Sequence, residues 1–173
     1  MATPVRVYLG PGASGSAATM EPLAAGLRAR GVDAVAIDLP KRRAEAAVDA
    51  LLAIAPPGDH VVVGGQSYGG RVASLAAAEH RYRGLICLSY PLHRPGHPDG
   101  TTRVAHWPAI ACPVLLLSGE ADPFARIDLL RAAAGNLRRG TLHTWPSLGH
   151  TMRPVLEDAL DRAAAFVKAL PDP

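Results

Sequence analysis

Residues 64–70 have the sequence GGQSYGG and stand between a short apolar run and a longer alanine-rich run. The inner five residues follow the pattern G-x-S-x-G, which is informative when a strand precedes it and a helix follows. Such a turn is so sharp that Ser67 should take a strained backbone conformation, with glycine needed two positions before and after it. We expect the turn to lift the Ser67 hydroxyl clear of a sheet, beside the Tyr68 N–H.

The runs on either side of this turn belong to a pattern that covers the chain. Short apolar runs, predicted as strands, alternate with amphipathic runs, predicted as helices, as in β-α-β units around a parallel sheet. The predicted strands lie near 4–9, 32–37, 60–64, 84–88, 113–118 and 141–145. The predicted helices cover about 17–30, 42–55, 68–80, 124–134 and 152–169. A length of 173 residues fits a single domain over 1–173.

A serine hydroxyl is a weak nucleophile unless an imidazole takes its proton and a carboxylate orients that imidazole. Asp122 follows the fifth predicted strand and His150 follows the sixth, which gives the chain order Ser, Asp, His. Asp122 could instead, or in addition, cap the helix predicted after it. Glu120 is the reserve candidate for the acid.

The first predicted strand ends in a second glycine turn, GPGASG at residues 10–15. Its spacing fits a dinucleotide-binding turn, with Asp38 in the place of a ribose-binding acid. However, Pro11 lacks the N–H that such a turn would offer to a pyrophosphate. The alternative is a loop beside the first motif, where the N–H of Ala13, or of Ser14, joins that of Tyr68 in an oxyanion hole.

The composition excludes several other classes of protein. Eighteen Lys and Arg face 15 Asp and Glu, so the net charge is only +3, and no basic run suggests a nucleic-acid partner. No apolar stretch approaches the roughly 20 residues of a membrane span. No secretory signal is visible, so we expect a cytoplasmic location. Cys87 and Cys112 are expected to be buried and unpaired.

The segment 89–111, rich in proline and glycine, has no predicted helix and leaves the carboxyl end of the fourth strand. Open α/β sheets bind ligands at that end. We therefore expect this segment and Tyr68 to form a substrate pocket, with His93 and His97 at its entrance. Pro95-Gly96 prevents these two histidines from sharing a helix face, and no metal site is predicted.

Together these motifs resemble the α/β-hydrolases, and specifically their small lidless group related to dienelactone hydrolase. The resemblance implies a three-layer sandwich, with a central six-stranded parallel sheet and helices on both faces. It also implies a triad of Ser67, His150 and Asp122. Where the family usually has a histidine before the glycine of the oxyanion turn, this chain has Pro11.

The prediction is a serine hydrolase for a carboxylic ester or related acyl compound, with Tyr68 and His93 contacting a small acyl substrate and no cofactor required. Two alternatives remain open. One is a protein of the same fold that binds a ligand or partner without turnover. The other is a Rossmann-like nucleotide-binding protein. Oligomeric state is not predicted.

Overall fold

The structure is a computed structural model and describes residues 3–172. All six strands belong to one parallel sheet, in the order β2-β1-β3-β4-β5-β6. The strands are β1 (Arg6–Gly10), β2 (Asp33–Ala36), β3 (Gly58–Gln66), β4 (Tyr82–Leu88), β5 (Val114–Gly119) and β6 (Gly140–Trp145). The helices are α1 (Ala17–Ala29), α2 (Val48–Ile54), α3 (Tyr68–Glu79), α4 (Ile127–Ala134) and α5 (Leu156–Lys168). The predicted central parallel sheet of six strands is confirmed.

Successive residues of the inner strands point to opposite faces of the sheet, and both faces are buried. Val61, Val63 and Leu85 pack with α2, α3 and α4 on one face. Val62 and Ile86 pack with α1 and α5 on the other. Continuous apolar strands such as 114–117 therefore follow from burial on both sides, as in other parallel sheets. The result is the predicted three-layer arrangement.

The helix predictions were right in number and inexact at their starts. The helix predicted over 42–55 is a short 3₁₀ turn at Ala44–Ala47 followed by α2. The helix predicted from 152 begins with a 3₁₀ turn at Arg153–Val155. The helix predicted from 124 begins only at 127, because residues 122–126 form turns.

The segment 89–111 contains little regular structure but is anchored in the core. Tyr90 and Trp107 are each 1% exposed, and their rings meet edge to face with centroids 5.0 Å apart. Leu92 is also fully buried. The segment is therefore packed against the core next to the carboxyl end of β4.

Cys87 and Cys112 are buried and unpaired, as predicted. Burial raises the pKa of the Cys112 thiol to about 11. Within residues 3–172, no helix combines the length and the apolar character that crossing a membrane requires.

Candidate active site

Ser67 lies in the turn between β3 and α3, with φ 48° and ψ −110°. Few residues other than glycine adopt a positive φ, so the predicted strain is confirmed. The Ser67 N–H donates to the carbonyl oxygen of Leu88 at 2.7 Å, which ties the turn to the end of β4. A Cβ on Gly65 would lie 2.1 Å from the Gly10 carbonyl oxygen, and one on Gly69 would lie 2.3 Å from it. Glycine is thus required at both positions because the end of β1 lies against them.

Asp122 follows β5 at the same edge of the sheet and is completely buried at its side chain. Its Oδ1 accepts the N–H of Phe124 at 2.8 Å, which closes a tight turn. The expectation that Asp122 caps a helix is wrong, because α4 begins later, after Arg126. The turn holds the carboxylate in place and leaves Oδ2 for another partner.

That partner is His150, on the loop between β6 and α5. Its Nδ1 lies 2.7 Å from Asp122 Oδ2, and its Nε2 lies 2.9 Å from Ser67 Oγ. An ionised carboxylate can only accept, so Nδ1 carries a proton and donates a hydrogen bond to Asp122. Nε2 is then an acceptor for the Ser67 hydroxyl. The structure therefore joins the three predicted residues in one hydrogen-bonded chain.

Two side chains that position His150 were not identified from the sequence. Phe124 stacks on the imidazole with ring centroids 4.2 Å apart and planes 29° apart. Gln66 donates from Nε2 to the His150 carbonyl oxygen at 3.4 Å. Phe124 lies two residues after Asp122, and Gln66 directly precedes Ser67. Proximity to predicted site residues was thus the only signal available.

The reserve acid, Glu120, lies elsewhere. Its Oε1 accepts the hydroxyl of Thr144 at 2.7 Å and a guanidinium N–H of Arg131 at 2.9 Å. The loop of His150 packs instead against the backbone beside Glu120, where the Ala121 N–H donates to the Leu148 carbonyl oxygen at 2.9 Å. Of the two candidate acids, Asp122 is the one that contacts His150.

The first glycine turn, residues 10–15, packs directly against the Ser67 turn. Besides its contact with Gly10, a Cβ on Gly69 would lie 2.8 Å from the Pro11 carbonyl oxygen. Tyr68 is the first residue of α3, so its N–H has no acceptor within the helix. The N–H of Ala13 likewise has no acceptor in the described part of the chain. Both predicted oxyanion donors are thus available, and their convergence stays a prediction.

Asp38 has a structural role at this turn. Its Oδ1 accepts the N–H of Ala17, the first residue of α1, at 2.7 Å. The positive end of the helix, where a dinucleotide would place its pyrophosphate, already holds this carboxylate. The arrangement disfavours the nucleotide-binding interpretation.

The side chains of Tyr68 and His93, both predicted to contact substrate, have partners within the protein. The Tyr68 hydroxyl donates to the Pro40 carbonyl oxygen at 2.7 Å, and burial raises its pKa. His93 Nε2 accepts the Arg126 N–H at 2.9 Å, and its Nδ1 donates to the Arg94 carbonyl oxygen at 2.8 Å. His93 is 5% exposed and joins the segment 89–111 to the turn after Asp122. Contact with substrate stays a prediction for both residues.

A family model described as an alpha/beta hydrolase domain matches residues 41–169 of the chain. The chain belongs to the alpha/beta hydrolase family. The matched region contains Ser67, Asp122 and His150 but begins after the first glycine turn. The oxyanion assignment of that turn therefore rests on this chain's own geometry.

Solved structures of other proteins share the fold at low sequence identity. A monoacylglycerol lipase from Paleococcus ferrophilus has a TM-score of 0.73 at 16% identity, over 93% of this chain and 96% of that chain. Est1E from Butyrivibrio proteoclasticus, solved with ferulic acid bound, has a TM-score of 0.79 at 18% identity, over 97% and 89%. The esterase Est2 from Thermogutta terrifontis has a TM-score of 0.76 at 21% identity, over 98% and 85%.

Proposed function

We propose that this α/β-hydrolase is a serine hydrolase that cleaves carboxylic esters. The observation that carries the proposal is the hydrogen-bonded chain from Asp122 through His150 to the Ser67 hydroxyl, with contacts of 2.7 and 2.9 Å. The kinship of its fold to a lipase and two esterases supports the same class of reaction. The substrate is a small acyl compound, and the reaction needs no metal or organic cofactor.

In the first half of the reaction, Ser67 Oγ attacks the ester carbonyl carbon as its proton passes to His150 Nε2. The tetrahedral intermediate collapses when the bond to the alcohol oxygen breaks and His150 protonates that oxygen. In the second half, water attacks the acyl-enzyme with His150 again as the base. The acid is released and the Ser67 hydroxyl is restored. Asp122 holds the imidazole in the required tautomer throughout.

The negative charge on the carbonyl oxygen needs donors placed in advance. The N–H of Tyr68 is one donor, and it lies at the positive end of α3. The N–H of Ala13 is the second, brought close because the Gly10–Pro11 backbone lies against Gly69. Both are backbone groups, so Pro11 in place of the usual histidine does not remove them.

Membership of the small lidless group related to dienelactone hydrolase is part of the same proposal. The dienelactone hydrolases proper use a cysteine nucleophile, whereas position 67 of this chain is serine. Their substrate is therefore not carried over.

The test is hydrolysis of p-nitrophenyl esters of increasing acyl length by the native protein and by Ser67→Ala. The exposed serine variant Ser16→Ala serves as a matched control. We expect turnover by the native protein and the control, with loss of roughly a thousandfold or more in Ser67→Ala. Equal hydrolysis by all three proteins would exclude Ser67 as the nucleophile. No hydrolysis of any ester by the native protein would instead favour a binding protein without turnover.

A further inference from the structure

An open hollow of about 820 Å³ lies beside the first turn of α3. Its walls come from the segment after β2, the first turns of α3 and the segment 89–111. Four arginines line it: Arg43, Arg71, Arg94 and Arg103. The Arg71 N–H donates to the Ser67 carbonyl oxygen at 3.0 Å, and four residues of helix rise by about 6 Å. We call this hollow the arginine pocket, and its Arg71 lies one helical turn from Ser67.

Two carboxylates also border the arginine pocket, and they do not balance its charge. Glu45 accepts a hydrogen bond from Arg71 Nη2 at 2.6 Å. Asp99 instead accepts the N–H of Thr101 at 2.7 Å and that of Thr102 at 3.2 Å, within its own turn. A hydrogen bond from the Thr102 hydroxyl, followed by these backbone hydrogen bonds, lowers the pKa of Asp99 and keeps it ionised. The arginine pocket thus has four positively charged and two negatively charged side chains. One of the two negative side chains, Asp99, is hydrogen-bonded within its own turn.

Arg43, Arg94 and Arg103 have no carboxylate within salt-bridge distance among residues 3–172. Elsewhere in the described part of the chain, arginines such as Arg6 and Arg81 pair with aspartate at 2.7 and 2.6 Å, while Arg138 and Arg153 have no carboxylate partner. The arginine pocket is the place where three arginines without a carboxylate partner line one hollow.

Arg103 is also held in position before any ligand binds. Arg103 Nη1 donates to the Pro91 carbonyl oxygen at 3.1 Å. Burial, followed by the charges of Arg71 and Arg94, lowers the pKa of Arg103. Like charges held close together in a partly enclosed space repel one another, and an anion placed among them removes that cost.

We propose that the arginine pocket binds an anionic group of the substrate, so that the preferred esters carry a carboxylate or a phosphate away from the bond that is cleaved. Guanidinium groups suit this role because they bind carboxylate and phosphate oxygens in pairs of parallel hydrogen bonds. The inference rests on the proposed function for its catalytic half, while the binding half can be measured without turnover.

The first experiment compares esters that differ only in the anionic group. Monomethyl glutarate is matched with methyl pentanoate, and acetoxyethyl phosphate with propyl acetate, at constant ionic strength. We expect kcat/KM to be roughly tenfold higher or more for at least one anionic member over its neutral match. Arg103→Gln should reduce this preference, and the distant arginine variant Arg81→Gln should retain it. Ser67-dependent hydrolysis without any preference would overturn this inference and leave the proposed function standing.

The second experiment measures binding to Ser67→Ala by calorimetry, with glutarate and inorganic phosphate as separate probes and chloride as the control ion. We expect saturable binding of one or both probes, weakened roughly tenfold by adding Arg103→Gln and unchanged by adding Arg81→Gln. The comparison between the probes shows whether the pocket favours carboxylate or phosphate. Absence of saturable binding, or equal binding with and without Arg103, would overturn the inference even if no ester were hydrolysed.

Discussion

The Asp122 carboxylate makes two contacts that serve different purposes. Oδ1 accepts the Phe124 N–H and fixes the turn, while Oδ2 accepts the His150 imidazole N–H. Phe124 then stacks on the same imidazole, so one turn supplies both the carboxylate and the aromatic ring that orient His150. Residues two apart in sequence thus determine the position of the proposed base.

Replacement of Asp122 tests this arrangement. Asp122→Asn keeps the size of the side chain but removes the charge and allows the imidazole to take the wrong tautomer. We expect the ester-hydrolysis kcat to fall by roughly a thousandfold or more, with a small change in melting temperature. Glu120→Gln is the matched control, since Glu120 contacts Thr144 and Arg131 rather than His150. A larger loss in the control than in Asp122→Asn would reverse the assignment of the acid.

At the level of elements, the site depends on how closely β1 approaches the turn between β3 and α3. The register of β1 on β3 places Gly10 opposite Gly65. The carbonyl oxygen of Gly10 then lies where side chains at residues 65 and 69 would otherwise be. This close approach brings the first glycine turn beside Ser67.

Substitution of Gly69 measures the importance of this contact. In Gly69→Ala the new Cβ would lie 2.3 Å from the Gly10 carbonyl oxygen. Neither atom can rotate away, because the oxygen belongs to the backbone and the Cβ is bonded directly to it. We expect the free energy of unfolding to fall by about 3 kcal/mol, measured by chemical denaturation. Gly12→Ala is the control, because its Cβ would meet only the Gln66 side chain at 3.9 Å. Equal free energies of unfolding for the two variants would mean that the end of β1 does not pack closely against the Ser67 turn.

The elements were predictable from sequence to different degrees, for physical reasons. Strands buried on both faces are continuous apolar runs, so the strand that contains residues 114–117 could be located from its run of apolar residues alone. Helix starts were less predictable: the sequence suggested a helix directly after Asp122, but the Asp122 side chain accepts the Phe124 N–H and stabilises a turn instead. Local hydrogen bonds of this kind compete with helix formation and do not show in hydrophobic periodicity.

In the whole molecule, one sheet edge gathers residues that are distant in the chain. The carboxyl ends of β3, β5 and β6 present Ser67, Asp122 and His150, and chain order together with the parallel sheet was enough to predict that meeting. The arginine pocket was not predictable, because its members come from three separate segments without a motif. The hydrogen bonds that the His93 and Tyr68 side chains make within the protein were not predicted, because hydrogen-bond partners depend on tertiary contacts.

The stability of the whole fold should depend on pH through His106, which packs beside Ser74. His106 Nε2 lies 2.8 Å from Ser74 Oγ. Burial, with a smaller effect of Arg71, lowers its pKa from 6.5 to about 4. Between pH 6.5 and pH 4 the unfolded chain therefore binds a proton on His106 that the folded protein does not bind. The contribution of neutral His106 to the free energy of unfolding is complete above pH 6.5 and is lost towards pH 4.

We expect this loss to amount to about 1–2 kcal/mol, after allowance for solvent screening of a partly exposed ring. Denaturation of the native protein and of His106→Gln, measured between neutral pH and pH 4, provides the comparison. The free energy of unfolding of the native protein should fall relative to that of His106→Gln as the pH falls from 6.5 to 4. A constant difference would show that His106 titrates normally in the folded state.

The central claim, that Ser67 is a nucleophile activated by His150, is tested most directly by labelling with a fluorophosphonate and locating the adduct by mass spectrometry. Such reagents phosphonylate an activated serine, whether or not the natural ester is known. The account predicts one adduct, on Ser67, in the native protein and strong suppression of labelling in His150→Ala. A native protein that stays unlabelled, or an adduct on another residue, would contradict it.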